Sequence, residues 1–181
     1  MADTKREQEE IARLAEAVIA GIDTIEVPTE LTEEQPDAEK RAVELSLWAQ
    51  IQEMSVSQKV KLALKGNKEA RMILLRGANR LVQRMVLQNP RITEEEIMAI
   101  AKNRSADEEL LRIIADNREW TGSYPLRCAL VENAKTPIAK ALRFLPSLGP
   151  KEIRVLAKSK NVPSVISNQA RKILFQRESL R

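Results

Sequence analysis

The sequence predicts an all-α fold. Leu, Ile, Ala, Glu, Lys and Arg dominate its 181 residues, a balance that favours helix. Only Trp48, Trp120, Tyr124, Phe144 and Phe175 are aromatic, which leaves little material for strands. Apolar positions recur at helical spacing between turn and capping signals that return at near-constant intervals. The length fits one domain with an appendage. Residues 1–36 read as an acidic N-terminal amphipathic helix plus flexible linker, and residues 37–181 as a helical repeat domain.

Ile11, Leu14, Ala15, Val18, Ile19 and Ile22 share one helix face, so a helix is expected over about 5–20 and Gly21 ends it. Residues 23–36 hold Pro28, Pro36 and several acids without apolar periodicity, as a mobile linker does. A second helix, over about 37–53, aligns Val43, Leu47, Ile51 and Met54, with Trp48 beside them. Short helices follow near 57–65, 68–76, 79–88, 94–102, 106–116, 122–132, 137–145, 150–158 and 164–177.

Their punctuation is regular. Asn89, Asn103, Asn117 and Asn133 stand 14, 14 and 16 residues apart, and Asn161 follows 28 later. Asn tolerates the left-handed conformation that closes a helix, which would explain its use at these ends. Thr93 with Glu96 and Ser105 with Glu108 have the spacing of a capping box. Thr136–Pro137, Gly149–Pro150 and Val162–Pro163 set proline at helix starts. Helices of about ten residues are marginal alone, and a tandem stack supplies neighbours.

Charge is divided unevenly. Residues 1–58 carry 5 basic and 14 acidic side chains, and residues 59–181 carry 25 and 12. A basic body attracts polyanions, an acidic protein face or its own acidic head. Lys61, Lys65, Lys68, Arg71, Arg76, Arg80 and Arg84 fall at intervals that could place them on one basic binding face, or on an ordinary solvated one. Ile11, Leu14, Val18, Ile19 and Ile22 make the first helix a candidate docking helix, folding back on the array, self-associating or entering a partner's groove. Trp120 and Tyr124 flank the longer junction Thr121–Gly122–Ser123, as a plug or as an aromatic anchor for a partner.

The chain contains no histidine, the commonest general base and zinc ligand. Its five glycines are scattered and form no phosphate loop. The acidic clusters 94–96 and 107–109 occupy first helical turns, where they complement the helix dipole. Cys128 reads as a small buried apolar side chain, with a redox or metal role as the alternative. No catalytic, metal or cofactor site is expected. No apolar run approaches the roughly 18 residues of a membrane span, and residues 1–10 are too charged for a signal peptide, so the cytoplasm is the expected location.

In its short units, and in the segments Val86–Ile97 (VLQNPRITEEEI) and Leu130–Leu142 (LVENAKTPIAKAL), the region of about 55–177 resembles the variant leucine-rich repeats of bacterial proteins, relatives of HEAT and armadillo arrays. The resemblance implies a right-handed α-solenoid of helix pairs, about 28 residues each, and a bacterial cytoplasmic protein. Some such proteins also carry a cysteine-rich iron–sulfur segment, which one cysteine cannot reproduce. The functional expectation is a non-enzymatic adaptor or scaffold for protein–protein interaction. The alternative is sequence-nonspecific binding of the nucleic-acid phosphate backbone through the basic face.

Overall fold

A computed structural model describes residues 2–32 and 40–179, apart from the side chains of 2–6, 30, 40–46 and 178. Every regular element among them is helical. The chain divides into two compact units, Met1–Ile92 and Thr93–Arg181.

The first unit contains α1 (Ala2–Ala20), a 3-10 turn at Thr29–Leu31, α2 (Lys40–Glu53), α3 (Val56–Lys65), α4 (Lys68–Arg76) and α5 (Arg80–Val86). Gly21 ends α1 with φ +72°, and the Ile22 N–H reaches back to the Ala17 carbonyl, a Schellman-type closure that a side chain would strain. Helix α1 lies on α3, placing Ala15 and Val18 in the same core as Val60, Leu62 and Ala63. Helix α2 adds Leu47 and Ile51 to that core and contacts α4. The side chain of Val43 and the expected start of α2 at 37–39 lie outside the described residues.

The expected mobile linker is instead fastened over residues 23–32. Asp23 forms an ion pair of 2.7 Å with Lys61, whose ammonium also meets the Ile25 carbonyl. Gln58 donates to Glu26 O, Leu31 is buried, and the Asn67 N–H donates to Leu31 O at 2.8 Å. A run without apolar periodicity thus gains its order from single anchors, one apolar and several polar. Residues 33–36 of the expected linker lie outside the described residues.

The second unit contains α6 (Glu94–Lys102), α7 (Glu108–Asp116), α8 (Arg118–Thr121), α9 (Tyr124–Glu132), α10 (Ile138–Phe144), a 3-10 turn at Leu145–Ser147, α11 (Pro150–Lys158) and α12 (Ser164–Ser179). Helix α9 packs against α6, α7, α8 and α10, while α12 covers α10 and α11. Ile97, Leu111, Ile114, Leu130, Ile153 and Ile166 are each at most 1% exposed. Helix α8 is a single turn where the sequence indicated only a junction. Asn117 creates it, ending α7 and accepting from the N–H groups of Glu119 and Trp120.

Two local expectations change. Thr93 and Glu96 form the capping box, but Ser105 does not cap α7; Asp107 does, accepting from the Glu109 N–H. The asparagines end helices without entering the left-handed region. Asn103, Asn117 and Asn133 have φ between −73° and −84° with extended ψ, and no non-glycine residue has positive φ among the described residues. Their value lies in their side-chain amides.

Candidate functional site

Asn89 and Asn133 are 1% and 4% exposed, so each amide must find partners inside the protein. Asn89 Nδ2 donates to Ala63 O at 2.9 Å and Gly66 O at 3.3 Å, and its Oδ1 accepts from the Arg91 N–H. Asn133 Nδ2 donates to Ala101 O at 2.7 Å and Asn103 O at 2.9 Å, and its Oδ1 accepts from the Lys135 N–H. Both residues close their own turn with Oδ1 and cap the C-terminal carbonyls of an earlier helix with Nδ2. The last turn of a helix leaves carbonyls without intrahelical donors, so the amide supplies what that end lacks.

Arginines do the same at the end of α3 and at other ends. Arg91 donates to Lys65 O, Arg143 to Ala115 O, and Arg177 to Leu148 O and Pro146 O. Each of these amide and guanidinium donors lies 26 to 32 residues, or for Gly66 23, beyond the carbonyl it serves. Over a shorter loop, Arg171 donates to Ala157 O and Arg71 to Gly66 O. A large share of the arginine in this basic chain therefore serves helix ends, which cationic side chains favour on dipole grounds as well.

The seven residues of the expected basic face meet different fates. Arg71 is 1% exposed, with its guanidinium at the Gly66 carbonyl, and presents no charge to solvent. Lys61 is half-buried and engaged by Asp23 and Ile25. Lys65, Lys68 and Arg84 are half-buried, and only Arg76 and Arg80 are exposed. Interval counting allowed all seven to share a surface but could not register which faces of α3 and α4 are covered.

Asp23 is held below the usual carboxylate range. The hydrogen bond from Lys61 is the main cause, opposed by desolvation and aided by the Ile25 N–H and by the charges of Lys61 and Lys65. Helix α1 packs within its own unit: Val18 is fully buried, and Ile11 and Leu14 lie against the core. Ile19 and Ile22, from the same sequence stripe, are 66% and 77% exposed, because the stripe continues past the part of α1 that is covered.

Trp120 is half-buried and lines a cleft of about 30 Å³ with Glu94, Ile97, Met98, Ser123 and Leu126. Tyr124 ties α9 to the start of α11. Its hydroxyl accepts from the Gly149 N–H at 2.9 Å and hydrogen-bonds Glu152, while Arg127 lies 5.6 Å from the ring centre. The Gly149 N–H favours the ionised phenol, but burial and the bonds to Glu152 and Cys128 outweigh it and raise Tyr124 above the ordinary phenol value. Burial likewise pushes the Cys128 thiol up, against its hydrogen bond with Tyr124. A thiol held protonated is a poor nucleophile.

The chain matches no protein-family model, no curated protein and no solved structure. Among the described residues no helix is long and apolar enough to cross a membrane.

Two groups of exposed residues stand out. One is apolar and lies in the first unit: Ile19 and Ile22 of the expected docking helix, and Trp48, 52% exposed despite its place beside an apolar stripe. The other is cationic and follows Asn133, where eleven Lys and Arg accompany two acids, Glu152 and Glu178. A charge count by segment would have isolated the second group.

Proposed function

We propose that the chain is a non-enzymatic helical-repeat scaffold that holds a protein partner in the bacterial cytoplasm. In this reading its helices are pairs of one right-handed α-solenoid of the variant leucine-rich repeat type. The observation that supports it is the recurrent capping of helix ends by an amide or guanidinium mostly 26 to 32 residues downstream. That interval is about the length of one helix pair. A device repeated at that period belongs to a chain built by stacking similar units, whose common role is to present a binding surface.

The partner surface lies on the first unit. Ile11, Leu14 and Val18 of the expected docking helix are used within the unit, which leaves Ile19, Ile22 and Trp48 for a partner. Exposed aliphatic and tryptophan side chains are suited to anchor a protein interface. Trp120 is half-buried, and Tyr124 is 37% exposed with its hydroxyl engaged by the Gly149 N–H. The test is capture of proteins from nuclease-treated bacterial lysate by the full chain and by an Ile19→Glu/Ile22→Glu/Trp48→Ala variant. Retention of a defined set of proteins by the parent chain and their loss from the folded variant is the expected result. Equal retention by both would remove this surface from consideration, and loss of all bound material on nuclease treatment would end the adaptor reading.

A further inference from the structure

The cations after Asn133 fall into two classes. Lys140 and Arg143 pair with Asp116, and Arg171 and Arg177 cap backbone carbonyls. Lys135, Lys151, Arg154, Lys158, Lys160 and Lys172 are exposed, and their side chains make no ion pair or hydrogen bond among the described residues. Four of these six belong to α11 and the turn that follows it. Lys151, Arg154 and Lys158 stand at i, i+3 and i+7, so they share the face of α11 opposite buried Ile153, Leu156 and Ala157. Lys160 extends the series beyond the helix end. The acid of this helix, Glu152, is half-buried and turned to the Tyr124 hydroxyl, so it does not neutralise the row.

The geometry points to this row as a binding surface for the phosphate backbone of double-stranded nucleic acid. From Lys151 to Lys158 the helix rises about 10 Å, and a duplex presents one negative charge per roughly 1.7 Å of axis. A linear row of unneutralised cations therefore meets several phosphates at once. An acidic protein is the poorer fit. Lysine is depleted from protein–protein interfaces, which depend on apolar and aromatic anchors, and the only large apolar side chain on this face is Val155. Interfaces with DNA are by contrast polar and strongly basic. A single strand would need an aromatic platform for its bases, and this face of α11 has none. The surface differs in place and chemistry from the apolar one proposed for a protein partner, and either can fail without the other.

Fluorescence anisotropy on the full chain tests the assignment, with a short labelled duplex, a single strand of the same length, and polyglutamate as probes. Contact with three to five phosphates lowers duplex affinity about 40- to 500-fold between about 50 and 200 mM salt. Lys151→Glu/Lys158→Glu should weaken duplex binding at least about ten-fold and flatten the log–log salt slope by about two. Lys102→Glu/Arg104→Glu, an equal charge change elsewhere in the second unit, should leave most of the affinity in place; circular dichroism checks the fold of both variants. The proposal is overturned by absence of duplex binding at about 50 mM salt, by equal losses in the two variants, or by tighter binding of the single strand or of polyglutamate.

Discussion

In the first unit the end of α3 is closed by three side chains: Asn89 at Ala63 and Gly66, Arg91 at Lys65, and Arg71 at Gly66. In the second, the end of α6 is closed, among the described residues, by the side chain of Asn133 alone, at Ala101 and Asn103. The difference follows from what surrounds each end. Helix α3 has α1 packed on it and the segment 23–32 fastened beside it, the Ala63 and Gly66 carbonyls are bonded in buried surroundings, and buried carbonyls require protein donors. After α6 the chain turns on Asn103, whose own side chain accepts from the Ser105 N–H and whose exposed position keeps water at hand. Two solutions with one shared residue type show that the asparagine amide is the constant part, and that guanidinium groups are added at one end and not at the other.

The largest expected effect comes from removing the cover. Deleting residues 2–20 takes Val18 and Ala15 out of the first core and uncovers α3. Burial of these side chains, with Ile11 and Leu14, is worth about 5 kcal/mol, a large part of a domain's stability. Hydrogen exchange should then accelerate throughout α3–α5 and remain slow in α9. Unchanged protection in α3 would mean that α1 is an appendage after all.

Gly66→Ala comes next. An added Cβ would stand 2.4 Å from the Leu62 carbonyl oxygen and 3.2 Å from Ala70 Cβ, so the end of α3 must shift away from its donors. Overpacking of this kind costs about 2–3 kcal/mol, readable as a lower urea midpoint at unchanged slope.

The paired asparagine variants test the comparison directly. Asn133→Ala leaves two carbonyls without their side-chain donor and should cost about 2 kcal/mol, whereas Asn89→Ala leaves Gly66 still served by Arg71 and should cost about 1 kcal/mol. The reverse order in chemical denaturation would show that the guanidinium groups do not share the load.

The smallest effect is that of pH on the 23–32 segment. The Asp23 pKa is depressed by folding, so its stabilising contribution is complete above the unfolded value near 3.8 and disappears as pH falls through the lower folded value. Amide exchange at Ile25 and Leu31, corrected for its intrinsic pH dependence, should lose protection on acidification below about pH 4. Asp23→Asn should show the weaker protection at neutral pH already and little further change.

Periodicity made most of the helices legible, because Val60, Leu111 and Ile153 are buried by the same spacing that marks them in the sequence. It also paired Thr93 with Glu96 correctly. Other features depend on tertiary position and leave no periodic trace. Leu31 is an isolated apolar residue in an acidic run, and nothing local signals that it is fully buried. Arg71 and Arg76 sit five residues apart in one short helix, and only the packing around α4 turns the first inward. The asparagines were conspicuous by spacing, yet a bond from Asn133 to Ala101 spans 32 residues, beyond the reach of any rule about neighbours in the chain. The surface cations of α11 were visible as composition, but their lack of partners is a property of the fold.

The direction of these caps has a consequence for synthesis. Nearly every bond from an asparagine or arginine side chain to a helix-end carbonyl runs from a later residue to an earlier one. As the chain leaves the ribosome, the end of α3 has only Arg71 to close it until residues 89–91 have emerged, and that of α6 waits for residue 133. These helix ends are thus completed by residues mostly 26 to 32 positions downstream, and a nascent chain matures with that lag behind its growing end.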